Sequence, residues 1–148
     1  PFEEAVERIR AAAAAARALP KDFVLVGRAD GIMNGHYDIE EALKRIRAFD
    51  AAGADCLYVP LPKTVEDQKR VIAATNKPVN VLVAGPTYSA IPRADYAAMG
   101  AARLSLGSAL ARVTHGAIRD AANAMFGSGD FSPLSMAMPG DDVDALLG

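Results

Sequence analysis

The sequence predicts an α/β fold of the (β/α)8-barrel type, with four strand–helix units present. Three observations predict it. Four short, nearly continuous apolar runs alternate with amphipathic helical stretches, at the spacing of βα repeats. The runs lack strict polar alternation, which fits strands covered on both faces in a parallel sheet with right-handed crossovers. Polar or turn-forming residues gather at or after the C-terminal halves of all four runs: Arg28, Pro60 to Lys63, Asn80 to Pro86, and Ser105 to Ser108. Four decorated ends in a row fit the single functional face of a barrel. A doubly wound sheet, the competing architecture, collects ligands at one switch point.

Each element has its own justification. Residues 3–18 place Val6, Ile9, Ala13 and Ala16 on one helical face. The run 23–28, "FVLVGR", is the first strand. Asp38 then opens a helix with Glu41 three residues on, a carboxylate version of the capping box. Ile39, Leu43, Ile46 and Phe49 form its apolar stripe and Gly53 its stop. The second strand is 56–60. Thr64 caps a third helix running to about residue 75, broken by "NKP". The third strand is 79–85, and Pro92 fits the first turn of a short helix ending at Gly100. The fourth strand is 102–107. Ser108 is expected to cap a longer helix with Leu110, Val113, Ala117, Ile118, Ala121 and Met125 in register, ended by Gly127. A Gly/Ser/Pro/Met-rich tail follows, with a last amphipathic piece at "DDVDALL".

Bulk properties exclude several functions. The 148 residues suit one domain; 51% are hydrophobic, 23% charged, and the net charge is −2 with both signs interleaved. Nothing here attracts nucleic acid or an anionic membrane by bulk electrostatics. The alanine-rich run 11–16 is a helix former, too short to span a membrane. With no signal-peptide pattern, the expected setting is cytoplasmic. Cys56, the only cysteine, excludes an internal disulfide and reads as a small buried thiol.

Arg28 is the leading candidate for chemistry. A guanidinium ending an apolar strand needs an anionic partner, and its planar fork suits bidentate capture of a carboxylate or phosphate. An internal salt bridge, for instance to Asp30, is the equally weighted alternative. Gly107 and Ser108 at a helix start offer an anion cradle, or ordinary capping. Asn80, if it faces the barrel interior, can hydrogen-bond a substrate oxygen; a satisfied core amide is the alternative. His36, in the loop after Arg28, is a candidate lid residue or simply a surface histidine. His115 reads as structural, and Lys63 reaches either the site mouth or solvent. No carboxylate pair has metal-ligand spacing, and neither a Walker loop nor a zinc pattern occurs.

The series "FVLVGRADG…GHYDIEEALKRIRAFDAAGADCLYVP…KPVNVLVAGP…GAARLSLGSAL" resembles the isocitrate lyase / phosphoenolpyruvate mutase superfamily from about residue 3 to 125. Its members carry an "ARTDA"-like strand end, a helix closing on "AGAD", a strand of the "P-L-x-V-N" kind and then "GxxRVS". The resemblance implies that residues 1–126 are the C-terminal half of a (β/α)8 barrel, and that residues 127–148 form an irregular tail able to pack on a neighbouring subunit. It implies a Mg2+-dependent enzyme that makes or breaks a C–C or P–C bond in a small 2-oxo or 2-hydroxy acid through an enolate-like intermediate. Arg28 matches the arginine that grips the substrate carboxylate, with Asn80, Ser105, Ser108 and His36 as further candidate substrate ligands. The metal-binding aspartates are expected upstream, with no metal ligand in this chain. The stretches "YVPLP" and "LVAGPTYS" replace the acidic or polar segments of the isocitrate lyases. An oxaloacetate-like decarboxylase, hydrolase or lyase is therefore favoured.

The chain opens on Pro1 without an initiator methionine, and four barrel strands leave two open sheet edges. A complementing half is therefore expected, upstream in the same polypeptide or as a second fragment. Homo-oligomerisation with exchanged C-terminal helices is expected from the family. Two alternatives stand beside the enzyme: a non-catalytic half-barrel that self-associates, and a barrel fragment using "GSAL" to bind phosphate.

Overall fold

The computed structural model describes residues 1–148. Two compact units divide the chain, Pro1–Gly107 and Ser108–Gly148. The first unit holds α1 (Phe2–Arg17), β1 (Val26–Arg28), α2 (Ile39–Ala51), β2 (Cys56–Tyr58), α3 (Val65–Ala73), β3 (Val79–Leu82), α4 (Gly85–Ser89), α5 (Arg93–Ala98) and β4 (Arg103–Ser105).

All neighbouring strands pair in parallel, in the order β1-β2-β3-β4. Spatial order thus follows chain order and never reverses. A doubly wound sheet needs such a reversal, so its switch point is absent and the sheet is of the barrel kind. One face of the sheet is apolar. Leu57, Val59 and Val79 pack there with Leu43, Ile46 and Phe49 of α2 and Val71 of α3, all buried. A smaller cluster joins Val81 to Tyr88 and Tyr96.

Both expected side-chain caps on the middle helices form. Asp38 accepts from the Glu41 backbone N–H at 3.1 Å, and Thr64 accepts from that of Asp67 at 3.0 Å. The Glu41 carboxylate turns outward to Arg45 instead of closing a reciprocal box. Gly53 follows α2 at φ +102°, a left-handed conformation that glycine adopts at no steric cost.

The strands are shorter than their apolar runs. Pairing begins at Val26, opposite Cys56, so Phe23 and Val24 lie outside the ladder, 50% and 68% exposed. Val59 and Pro60 extend past β2 into the loop. β3 stops at Leu82, and the Gly-Pro pair expected to close it instead starts α4, with the proline in the first helical turn.

The second unit holds α6 (Ala109–Gly127), a 3-10 turn (Ser132–Met136) and α7 (Gly140–Leu147). The Ser108 side chain makes no capping bond, contrary to expectation; only its carbonyl enters the helix, accepting from the Arg112 N–H at 2.9 Å. Nor is the expected α6 stripe buried: Leu110, Val113 and Ile118 are each about two-thirds exposed, at 67%, 69% and 65%. The tail is more ordered than its composition suggests, since Pro139 precedes a regular helix. No helix is long and apolar enough to cross a membrane.

Candidate functional site

The face of the sheet away from the helices carries the polar residues of the strands. Strand alternation turns Gly27, Leu57, Val79, Val81 and Leu104 toward the helices, and their neighbours toward the other face. Register then aligns one residue from each strand: Arg28 opposite Tyr58, Tyr58 opposite Asn80, and Asn80 opposite Arg103. Ser105 lies two residues beyond Arg103, on the same face.

These side chains contact one another. The Arg28 guanidinium lies over the Tyr58 ring, 4.9 Å from its centre. Its Nε and Nη2 both donate to Asp30 Oδ1, at 3.2 and 3.1 Å. The internal salt bridge foreseen for Arg28 is therefore real, but it occupies a single oxygen and leaves the other guanidinium N–H groups uncommitted. The Arg28 side chain is half exposed. The burial argument that singled it out does not apply, and its functional standing rests on where it sits. Asn80 is 1% exposed, and its Nδ2 donates to Ser105 Oγ at 2.9 Å. Arg103 Nη1 donates to Asn80 Oδ1 at 3.4 Å.

Electrostatically the face is cationic. Arg28 and Arg103 stand against one carboxylate, Asp30, and Arg103 forms no salt bridge. Burial pushes the Tyr58 hydroxyl above its ordinary range, with Ser105 and Arg28 opposing the shift. Burial likewise raises the Cys56 thiol, which keeps it protonated and weakly nucleophilic.

The loops at the C-terminal ends are braced from below. Tyr96 donates to the Tyr88 carbonyl at 2.5 Å, and Tyr88 donates to the Pro62 and Thr64 carbonyls at 2.9 and 3.1 Å. Burial holds the Tyr88 hydroxyl at about 12, so it remains a donor throughout the physiological range. Leu61, between two prolines, is held at φ +50°, an uncommon backbone for a branched side chain.

Of the expected site residues, Arg28, Asn80 and Ser105 share this face. His36 does not join them: it is exposed in the β1–α2 loop, with its backbone N–H on the Gly31 carbonyl. Ser108 opens the second unit. Lys63 lines a small cavity with Asp38 and Asp67. Tyr58 and Arg103 escaped the sequence reading, which weighed strand ends only. The signal was one polar residue at matching parity inside each apolar run: "GR", "CLY", "VNV" and "ARL".

The chain is 38% identical, over 85 residues, to an oxaloacetate decarboxylase of Paraburkholderia xenovorans (strain LB400), covering 57% of this chain and 26% of that protein. A structure from Burkholderia cenocepacia J2315, described as a candidate lyase/mutase, superposes with a TM-score of 0.90 at 36% identity, covering 100% of this chain and 53% of that one. An oxaloacetate acetylhydrolase bound to oxalate gives 0.73 at 27%, covering 94% of this chain and 46% of that one. A 2,3-dimethylmalate lyase of the PEP mutase/isocitrate lyase superfamily gives 0.72 at 26%, with 88% and 46% covered. The chain thus spans about half the length of these structures, which are TIM-barrel-like. The sequence pattern of the phosphoenolpyruvate phosphomutase family matches residues 1–126, and the chain belongs to that family.

Proposed function

We propose that the protein carrying this chain cleaves a C–C bond beside a carboxylate in a small, oxaloacetate-like 2-oxo acid. The observation that carries this reading is the cationic row on the open sheet face, with Arg28 beside the β1 C-terminus and N–H groups to spare. Its similarity to the oxaloacetate decarboxylase and acetylhydrolase supports the substrate class. Arg28 binds the carboxylate next to the 2-oxo group. When oxaloacetate decarboxylates, the C3–C4 pair stays on the remaining fragment as CO2 leaves. The resulting enolate of pyruvate then takes a proton at C3. A fixed guanidinium stabilises the charge that grows on the oxygens of that enolate. Ser105 and Arg103 complete the polar wall, with Asn80 positioned beneath them.

Members of the superfamily are generally Mg2+-dependent. The residues of this chain do not fit that ion: no three His, Cys, Asp or Glu side chains converge, and Asp30 is engaged by Arg28. The ion's ligands would come from outside these residues. The same holds for the strands that would complete a ring. The exposed apolar side chains of α6 support an oligomer in which this helix packs on a neighbouring subunit.

Calorimetric titration with oxalate tests the reading. The full-length protein should bind it, and Arg28→Met should weaken binding on the order of 100-fold, as loss of a charge-assisted contact of ~3 kcal/mol implies. Unchanged affinity in a folded variant would remove Arg28 from the site.

A further inference from the structure

Arg103 has no role in the reading above beyond lining the wall, yet its placement is specific. It sits across from Asn80 in register, makes no salt bridge, and gives Nη1 to Asn80 Oδ1. The backbones of β1 and β4 stand about 14 Å apart at three inter-strand spacings. Arg103 is turned onto Asn80 and is not a second clamp beside Arg28.

We propose that Arg103 is a positioning residue that sets the polarity of a hydrogen-bond relay ending at the ligand; the inference rests on the anion-binding reading above. A guanidinium has donors only, so only the carbonyl end of the Asn80 amide can face it. The amide nitrogen is then forced toward Ser105, where it donates to Oγ at 2.9 Å. Ser105 Oγ, having accepted, need not spend its own proton on Asn80. The Ser105 hydroxyl proton is therefore free to point outward as a donor. Were the amide reversed, its oxygen would take that proton, and Ser105 would present only lone pairs to an anion. Asn80 is 1% exposed and reaches a ligand only through these neighbours.

The test is a double-mutant cycle on the full-length protein, titrated with oxalate. Arg103→Met should weaken binding ten- to a hundredfold, the span of one charge-assisted hydrogen bond. Arg103→Lys, still a donor-only cation, should stay within about threefold of the parent on the same physical ground. In a Ser105→Ala background Arg103→Met should add nothing, because the relay it orients is gone. Equal loss in both backgrounds would overturn the proposal and leave Arg103 as a direct or merely structural contact. If Arg103→Met fails to fold, Arg103→Gln serves instead, since its amide tolerates either orientation of Asn80. Full affinity in Arg103→Gln would likewise overturn the proposal. Failure of the parent to bind oxalate, or indifference to Arg28→Met, refutes the function itself. Tight, Arg28-dependent binding with an additive cycle refutes only the relay.

Discussion

Gly31, three residues past Arg28, is predicted to be irreplaceable for a reason visible only in three dimensions. A Cβ built there falls 2.0 Å from Cε1 and 2.2 Å from Cζ of Tyr37, so Gly31→Ala must expel the ring. Tyr37 is partly buried, packs against the core of α2 and the sheet, and lies under the Arg45 guanidinium at 4.9 Å. Losing about 100 Å² of its contact, half of a typical buried aromatic, costs ~2.5 kcal/mol at 25 cal/mol per Å². The cation–π contact adds ~0.5 kcal/mol. A loss of ~3 kcal/mol is therefore expected in urea denaturation of the full-length protein. Because Asp30 adjoins Gly31 and holds Arg28, oxalate affinity should fall as well. Replacing Tyr37 by Ala should remove most of the additional cost of Gly31→Ala, since the clash is with that ring alone. If Gly31→Ala proves neutral, or costs as much without Tyr37 as with it, the steric account is wrong.

Other expectations concern separate parts of the molecule. Asp55, bonded by Arg17 and by the Leu25 N–H at 2.8 Å, is held below the usual carboxylate range. Its contribution is complete above the unfolded value and fades as pH falls below about 4 through the depressed folded value; Asp55→Asn should weaken the fold at neutral pH and flatten the acid limb of a stability–pH curve. Gln68 is buried with neither amide atom hydrogen-bonded, so Gln68→Met should raise the unfolding free energy by about 1 kcal/mol; a clear loss of stability would mean the amide is satisfied. Tyr96→Phe removes the phenol donor from the Tyr88 carbonyl, which keeps the Ile91 N–H at 3.3 Å, and should cost ~1 kcal/mol, measured the same way. Val113→Lys on the exposed α6 stripe should shift the light-scattering mass of the assembly downward; an unchanged mass would argue against a subunit contact there.

Much of this was legible in the sequence. Helix starts at Asp38 and Thr64 were marked because a cap is a local event, decided within three residues. The alternation of the four strands with α1, α2, α3, α5 and α6 followed from apolar period and turn residues. Strand limits did not, because a ladder ends where the neighbouring strand ends. Phe23 and Val24 are as apolar as Val26, yet no neighbouring strand pairs with them. The helix at Gly85 was hidden by a Gly-Pro pair that serves a turn and a helix start equally. In the site, Arg28 stood out because a charge interrupted an apolar run. Tyr58 and Arg103 were missed because their significance lies in register, which places them beside Asn80 across strands more than twenty residues apart.

The central claim is that this face holds a small carboxylic acid for C–C cleavage through Arg28. The most direct measurement follows 13C-labelled oxaloacetate by NMR with the full-length protein and Mg2+, in the parent and in Arg28→Met. The account predicts accelerated cleavage above the spontaneous rate, to pyruvate and CO2 or to oxalate and acetate. It predicts loss of that acceleration in a variant that remains folded. Turnover that survives Arg28→Met, or no cleavage by the parent, would contradict it.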